Sequence, residues 1–355
     1  MPTYVLEGGS SALLPAKPLT LRVQGAGQGE VRLEALRNGE PDPHAITPMT
    51  GMLVLPRVTE PVEVRVVPVR ESTFPSGTVV ALSAAIELHG DLDPERAVMQ
   101  GIDLSGLARR ELLRVESAGD QVKLTAMGVI ADSPLPPLAA RARDVARELL
   151  GVERVPAAEA IGLRLRVDAS ASMRPLVTEG AVGAALEVLV GVSRVTSHDH
   201  KVTAELGTDR AATITADSVG ELPRAVHEAL GQLPLRTGFR SRGSGTFGAQ
   251  TALCVVSDGV PADLGGERTA LVVLATPSAE AVLAPRAPRT TAWLPLPEWG
   301  ATSTYQQLME GEDALRRAVA AVLQSVLPPD SPLQEQLAGA GVPLDANATQ
   351  IRTSY

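Results

Sequence analysis

The sequence predicts an α/β protein of two domains, a β-sandwich followed by a doubly wound, mostly parallel sheet. Three observations carry this expectation. At 355 residues the chain is long enough for two domains of ordinary size. Up to about residue 130, short apolar runs broken by turn residues follow one another. Stretches such as VEVRVVPV and VRLEALR partly alternate apolar with polar residues, the mark of strands with one wet face. Beyond about residue 160, strand-like and helix-like stretches alternate, and TALCVVSDG and TALVVLAT are the continuous apolar runs of strands covered on both faces.

Taken in order, strands are expected over 19–24, 31–37, 52–58, 62–69, 79–88, 111–116 and 121–130. Pro134, Pro136 and Pro137 then punctuate the chain, and 138–150 (LAARARDVARELL) carries apolar residues at helical spacing. This helix closes a first domain over 1–152, with 153–160 as linker. The second domain, 161–327, opens with a strand over 162–168 and a helix over 179–192. Strands over 201–206 and 211–215 and a helix over 218–230 follow, then the two buried strands (251–259 and 269–276) and an amphipathic closing helix (312–327). Residues 328–355, with their Pro, Ser, Asn and Thr content, read as a loosely held tail.

Composition excludes several functions. The formal charge of -9 repels phosphate backbones and anionic membranes, and 3 Phe, 3 Tyr and 2 Trp are scant material for base stacking. No nucleic-acid or membrane partner is expected. The single Cys254 rules out an intramolecular disulfide and a multi-thiolate zinc site, and its apolar surroundings make it a small core residue. With no basic-then-apolar leader and no spanning run, the expected setting is the reducing cytoplasm. The preference for Arg, with Lys only at 17, 123 and 201, looks like GC-rich coding.

The most informative residues are Asp168-Ala-Ser170-Ala-Ser172-Met173, at the carboxyl end of an expected strand and entering a helix. In open α/β sheets ligands sit in the crevice beyond the strand ends. Three oxygen side chains at alternate positions can converge there, and oxygen ligands suit a hard divalent cation. Asp258, in Ser257-Asp258-Gly259-Val260-Pro261, closes a later strand and would lie beside the first segment if the two strands are neighbours.

These two segments, Asp168-x-Ser170-x-Ser172 and Asp258-Gly259-x-Pro261, resemble the metal-ion-dependent adhesion site of the von Willebrand factor A domain, over roughly residues 160–325. The continuation Met173-Arg174-Pro175-Leu176-x-x-x-Gly180-x-Val182 is most similar to cytoplasmic A domains of the tellurium-resistance TerF type, which follow a TerD-type β-sandwich. Residues 111–130 and the helix from Leu138 are similar to the end of a TerD domain, whereas the first hundred residues match poorly. The resemblance implies a Mg2+ or Mn2+ site of Asp168, Ser170, Ser172 and Asp258, with a further ligand from the loop 235–249, where Thr237 and Thr246 are the candidates. It also implies calcium in the TerD-like domain, for which Asp91, Asp93 and Glu95 offer carboxylates; Asp93-Pro94 reads equally as a helix N-cap followed by proline.

Other features have plainer readings beside functional ones. His198-Asp199-His200 is either a metal cluster or a polar turn. Arg236, Arg240 and Arg242 form either an anion-capturing loop or a solvated one. Arg164 and Arg166, alternating with Leu163, Leu165 and Val167, are unusual in a central strand and require either exposure or pairing.

The function expected is therefore a non-enzymatic, cytoplasmic adaptor, in which Mg2+ keeps one coordination position for the carboxylate of another protein's acidic residue. By resemblance its context is a tellurium-resistance-type stress or defence system. The alternatives are a metal-assisted phosphate-ester hydrolase and a scaffold subunit with a degenerate site. Against the hydrolase, no Walker loop and no Gly-x-Ser-x-Gly elbow occurs.

Overall fold

A computed structural model of the protein describes residues 3–25, 31–86, 94–128, 134–198, 202–207, 212–216, 218–234, 239–241, 248, 250–266, 268–298 and 302–342. The chain is mixed α/β and divides into two compact units, Met1–Asp132 and Ser133–Tyr355. No helix among the described residues is long and apolar enough to cross a membrane.

The first unit holds two six-stranded sheets. One runs in the order β1 (Thr3–Val5), β10 (Arg96–Asp103), β9 (Val79–Ala85), β3 (Leu19–Gly25), β7 (Met52–Leu55), β6 (Ile46–Met49). The other runs β2 (Ser11–Pro15), β12 (Gln121–Ala126), β11 (Arg110–Ala118), β8 (Val62–Pro68), β4 (Val31–Arg37), β5 (Glu40–Pro41). Both contribute to one core, Leu21, Leu53 and Leu82 from the first and Leu33, Val64 and Val115 from the second. The alternation read in VEVRVVP is the cause. Val62, Val64 and Val66 are fully buried, while Arg65 on the other face donates to Glu34 of β4 at 2.8 Å. The reading of Asp93-Pro94 as a helix start does not hold. Asp91 and Asp93 lie outside the described residues, and Arg96–Asp103 is strand β10, paired antiparallel with β9 and parallel with β1.

The second unit opens with α1 (Pro137–Leu150), so the expected first domain over 1–152 is corrected: the helix belongs to the second unit. The reason is packing. α3 (Ala181–Thr196) is buried on nearly every side, and Gly191 lets α1 approach its backbone; a Cβ there would stand 2.8 Å from the Ala142 Cβ and collide with the Ala139 carbonyl. The expected linker 153–160 is also packed, since Val155 is buried and its N–H donates to the Val195 carbonyl at 2.8 Å.

The unit's sheet runs β15 (Ala212–Thr215), β14 (Thr203–Gly207), β13 (Gly162–Asp168), β16 (Thr251–Ser257), β17 (Thr269–Ala275), β18 (Ala292–Pro295). All pairings are parallel except β14 with β15. One face (Leu165, Cys254, Val272) shares a core with α1, α2 (Met173–Thr178), α3, α4 (Leu222–Gln232), α6 (Thr304–Glu310), α7 (Glu312–Val326) and α8 (Pro332–Gly339). The other face (Val255, Leu271, Val273) is covered among the described helices only by α5 (Pro277–Leu283), with Phe239, Val260, Leu264 and Trp293. Among the described helices, coverage of the two faces is thus uneven. Charges occupy part of the second face, which explains the odd arginines. Arg166 donates to Glu205 of β14 at 3.0 Å, and Arg164 also pairs with Glu205.

The loosely held tail expected over 328–355 is corrected for its described part. Ser331 caps α8, whose Leu333 and Leu337 join the core. Cys254 is fully buried, and burial pushes its thiol up to about 12, which makes it a packing residue with little thiolate.

Candidate functional site

The strand order 15-14-13-16 places the chain reversal at β13. From β13 the chain leaves through α2 and α3 to β14 on one side, then returns through α4 to β16 on the other. A crevice therefore opens beyond the carboxyl ends of β13 and β16. Because Val167 is in register with Val256, Asp168 ends one strand level with Ser257, and Asp258 lies one residue further.

Asp168 is buried, and each of its oxygens accepts one hydrogen bond. Oδ1 takes the backbone N–H of Ser170 at 2.8 Å, and Oδ2 takes the Ser257 hydroxyl at 2.7 Å. A carboxylate oxygen has two lone-pair sites, so both retain capacity for another partner. The hydroxyls of Ser170 and Ser172 meet at 3.0 Å on the turn into α2. The Ser257 hydroxyl also accepts from the Gly259 N–H at 3.2 Å, which turns the chain after Asp258. Asp258 itself is half-buried. The oxygen donors at this strand end are the Asp168 carboxyl and the Ser170 and Ser172 hydroxyls, with the Asp258 carboxyl on the adjacent strand end. All are hard oxygen donors, which fit Mg2+ or Mn2+. No cluster of three or more His, Cys, Asp or Glu occurs among the described residues.

Thr237 and Thr246 lie outside the described residues, as do Asp199, His200, Arg236 and Arg242. The described ends of their loop are nevertheless anchored beside the crevice. On the leading side, Arg174 of α2 donates to the carbonyls of Leu230, Gly231 and Leu233 at 2.8, 3.1 and 2.8 Å, a guanidinium placed on the carboxyl end of α4. On the returning side, Phe239 rests on Gly207, the residue paired with Asp168; no Cβ fits between them. Arg166 donates to the Arg240 carbonyl at 2.7 Å, and Asp263 accepts from both the N–H and the hydroxyl of Ser241 at 3.0 and 2.9 Å. Burial lowers the Arg166 guanidinium from its ordinary value, with Asp263 opposing the shift. His198 makes a 2.7 Å hydrogen bond from its Nε2 to the Val155 carbonyl, which ties the end of α3 to the segment before β13.

Three site residues escape the motif reading. Ser257 could have been found by its place directly before Asp258 on a neighbouring strand. Arg166 stands out only as an odd charge in a central strand and Arg174 only within the Met173–Val182 continuation; neither signal tells which carbonyls they hold, 56 to 74 residues away in sequence. The chain matches no protein-family model and no curated protein.

Proposed function

We propose that the second unit is a von Willebrand factor A-like domain whose adhesion-type site, Asp168, Ser170, Ser172, Asp258 and Thr237, holds Mg2+ or Mn2+ and leaves one position for an acidic residue of another protein. The observation that carries this reading is the meeting of Asp168, Ser170, Ser172 and Ser257 within hydrogen-bond distances at the end of two adjacent parallel strands, one residue from Asp258. The hydroxyl ligands are neutral, so the bound cation keeps electrophilicity for an incoming carboxylate.

In this reading the first unit is a divergent TerD-like β-sandwich, with two sheets on one core. The protein is a non-enzymatic cytoplasmic adaptor of a tellurium-resistance-type stress or defence system. The test is a pull-down with the full chain in Mg2+ against EDTA, alongside calorimetry with Mg2+ alone. Binding heat lost in Asp168→Ala, and partner retention lost on combining Ser170→Ala with Ser172→Ala, support the adaptor. Absence of heat at millimolar Mg2+ leaves a scaffold. Divalent-dependent phosphatase activity lost in Asp168→Asn replaces the adaptor with a hydrolase.

A further inference from the structure

A cavity of about 120 Å³ lies in the second unit between the ends of β17 and β18 and helices α5 and α7. Its floor is made of small apolar groups, Ala275 of β17 and Ala314 and Ala321 of α7, with Trp293 of β18 as one wall. Two charged residues line the same space, Glu280 of α5 and Arg317 of α7. Arg317 acts on Glu280 through its field, yet they form no ion pair, and neither side chain has a hydrogen-bond partner among the described residues. Burial raises the Glu280 carboxyl above the ordinary carboxylate range, and the field of Arg317 only partly offsets that rise. Opposite charges that line one space without pairing are complementary to a molecule that carries both signs a bond or two apart.

We propose that this cavity binds a free small α-amino acid. Its carboxylate would lie on the Arg317 guanidinium, its ammonium on Glu280, and its side chain on the alanine floor beside Trp293. The size fits such a ligand, since a protein cavity of about 150 Å³ accepts benzene and nucleotide-sized ligands need several hundred. The proposal is independent of the metal reading, because none of the cavity's residues belongs to the Asp168 crevice.

The experiment uses the full chain without added metal. L-Alanine and L-valine are titrated by calorimetry and followed by thermal shift and tryptophan fluorescence. N-acetylalanine, which lacks the cation, and alaninamide, which lacks the carboxylate, are the comparisons. Expected are saturable heat and a raised Tm with the amino acids, and binding at least about tenfold weaker for both analogues. Glu280→Gln and Arg317→Met should each weaken amino-acid binding by about tenfold or more while leaving the ligand-free Tm nearly unchanged. Silence of the unmodified protein to both amino acids at about 10 mM overturns the proposal. So does N-acetylalanine binding as well as alanine, which reduces the cavity to an anion site, or binding that survives both substitutions. The analogue series needs no variant, so it decides the matter even where a substitution harms folding.

Discussion

Asp168 shows how one side chain's surroundings determine what it can do. Its two oxygens are oriented by Ser170 and Ser257, and groups that orient a metal's ligands typically govern affinity by 10- to 100-fold. At the proposed Mg2+ site, Ser257→Ala should therefore weaken cation binding by at least about tenfold in calorimetry and cost about 1–3 kcal/mol of stability in denaturant, because a hydrogen bond to the buried Asp168 side chain is lost. Glu187, on α3, offers a pH test of another kind. Burial raises its pKa, against the lowering pull of the Ala139 and Leu138 backbone N–H groups at the start of α1. A carboxyl raised in the folded state binds its proton more tightly there. Its contribution to stability is full below the ordinary glutamate value near 4 and is lost as pH rises through the raised folded value. Glu187→Gln removes that loss, so the Tm of the variant relative to the unmodified protein should climb between about pH 4 and pH 7. A flat difference across that range would contradict the burial argument.

Elements in the second unit are held by neighbours that the local pattern does not reveal. α1 has a helical apolar spacing that is obvious in the sequence, but what it packs on depends on Gly191 of α3. Gly191→Ala pushes a methyl into the α1 backbone, and overpacking of this kind costs about 1–3 kcal/mol, which urea denaturation of the full chain should register. α8 is the opposite case, a short helix inside a stretch whose Pro, Ser and Asn content reads as a tail. Leu337 is buried against the core, and Leu337→Ala should destabilise the second unit by about 2–4 kcal/mol, whereas a truly loose tail would show no change. β10 is hidden from the local pattern because a bulge between Met99 and Ile102, with Gly101 at φ 64°, breaks the alternation that marks a strand.

For the whole molecule, the decisive fact is the position of the boundary between the units. A fragment over 133–355 keeps α1 on α3, whereas one over 153–355 uncovers the helix face that Gly191 shapes. The longer fragment should unfold cooperatively with Tm close to that of its transition in the full chain. The shorter one should aggregate or melt at much lower temperature, because a buried apolar face contributes about 25 cal/mol per Å² removed from water. Equal stability of the two fragments would return α1 to the first unit.

Periodicity alone determined the class of fold here. Alternation placed β4, β8 and β12, the continuous runs placed β16 and β17, and the Asp-x-Ser-x-Ser turn placed the candidate ligands on the end of β13. These features are local, set by side-chain direction along a single strand or turn. Only the tertiary structure decided which strands are neighbours. That choice brings Ser257 to Asp168 across 89 residues of chain and lets Arg166 meet Glu205, because β14, β13 and β16 pair side by side. It also decided where α1 belongs, since a helix's apolar face records only that it must be covered. The covering surface is set by shape, here the missing side chain of Gly191.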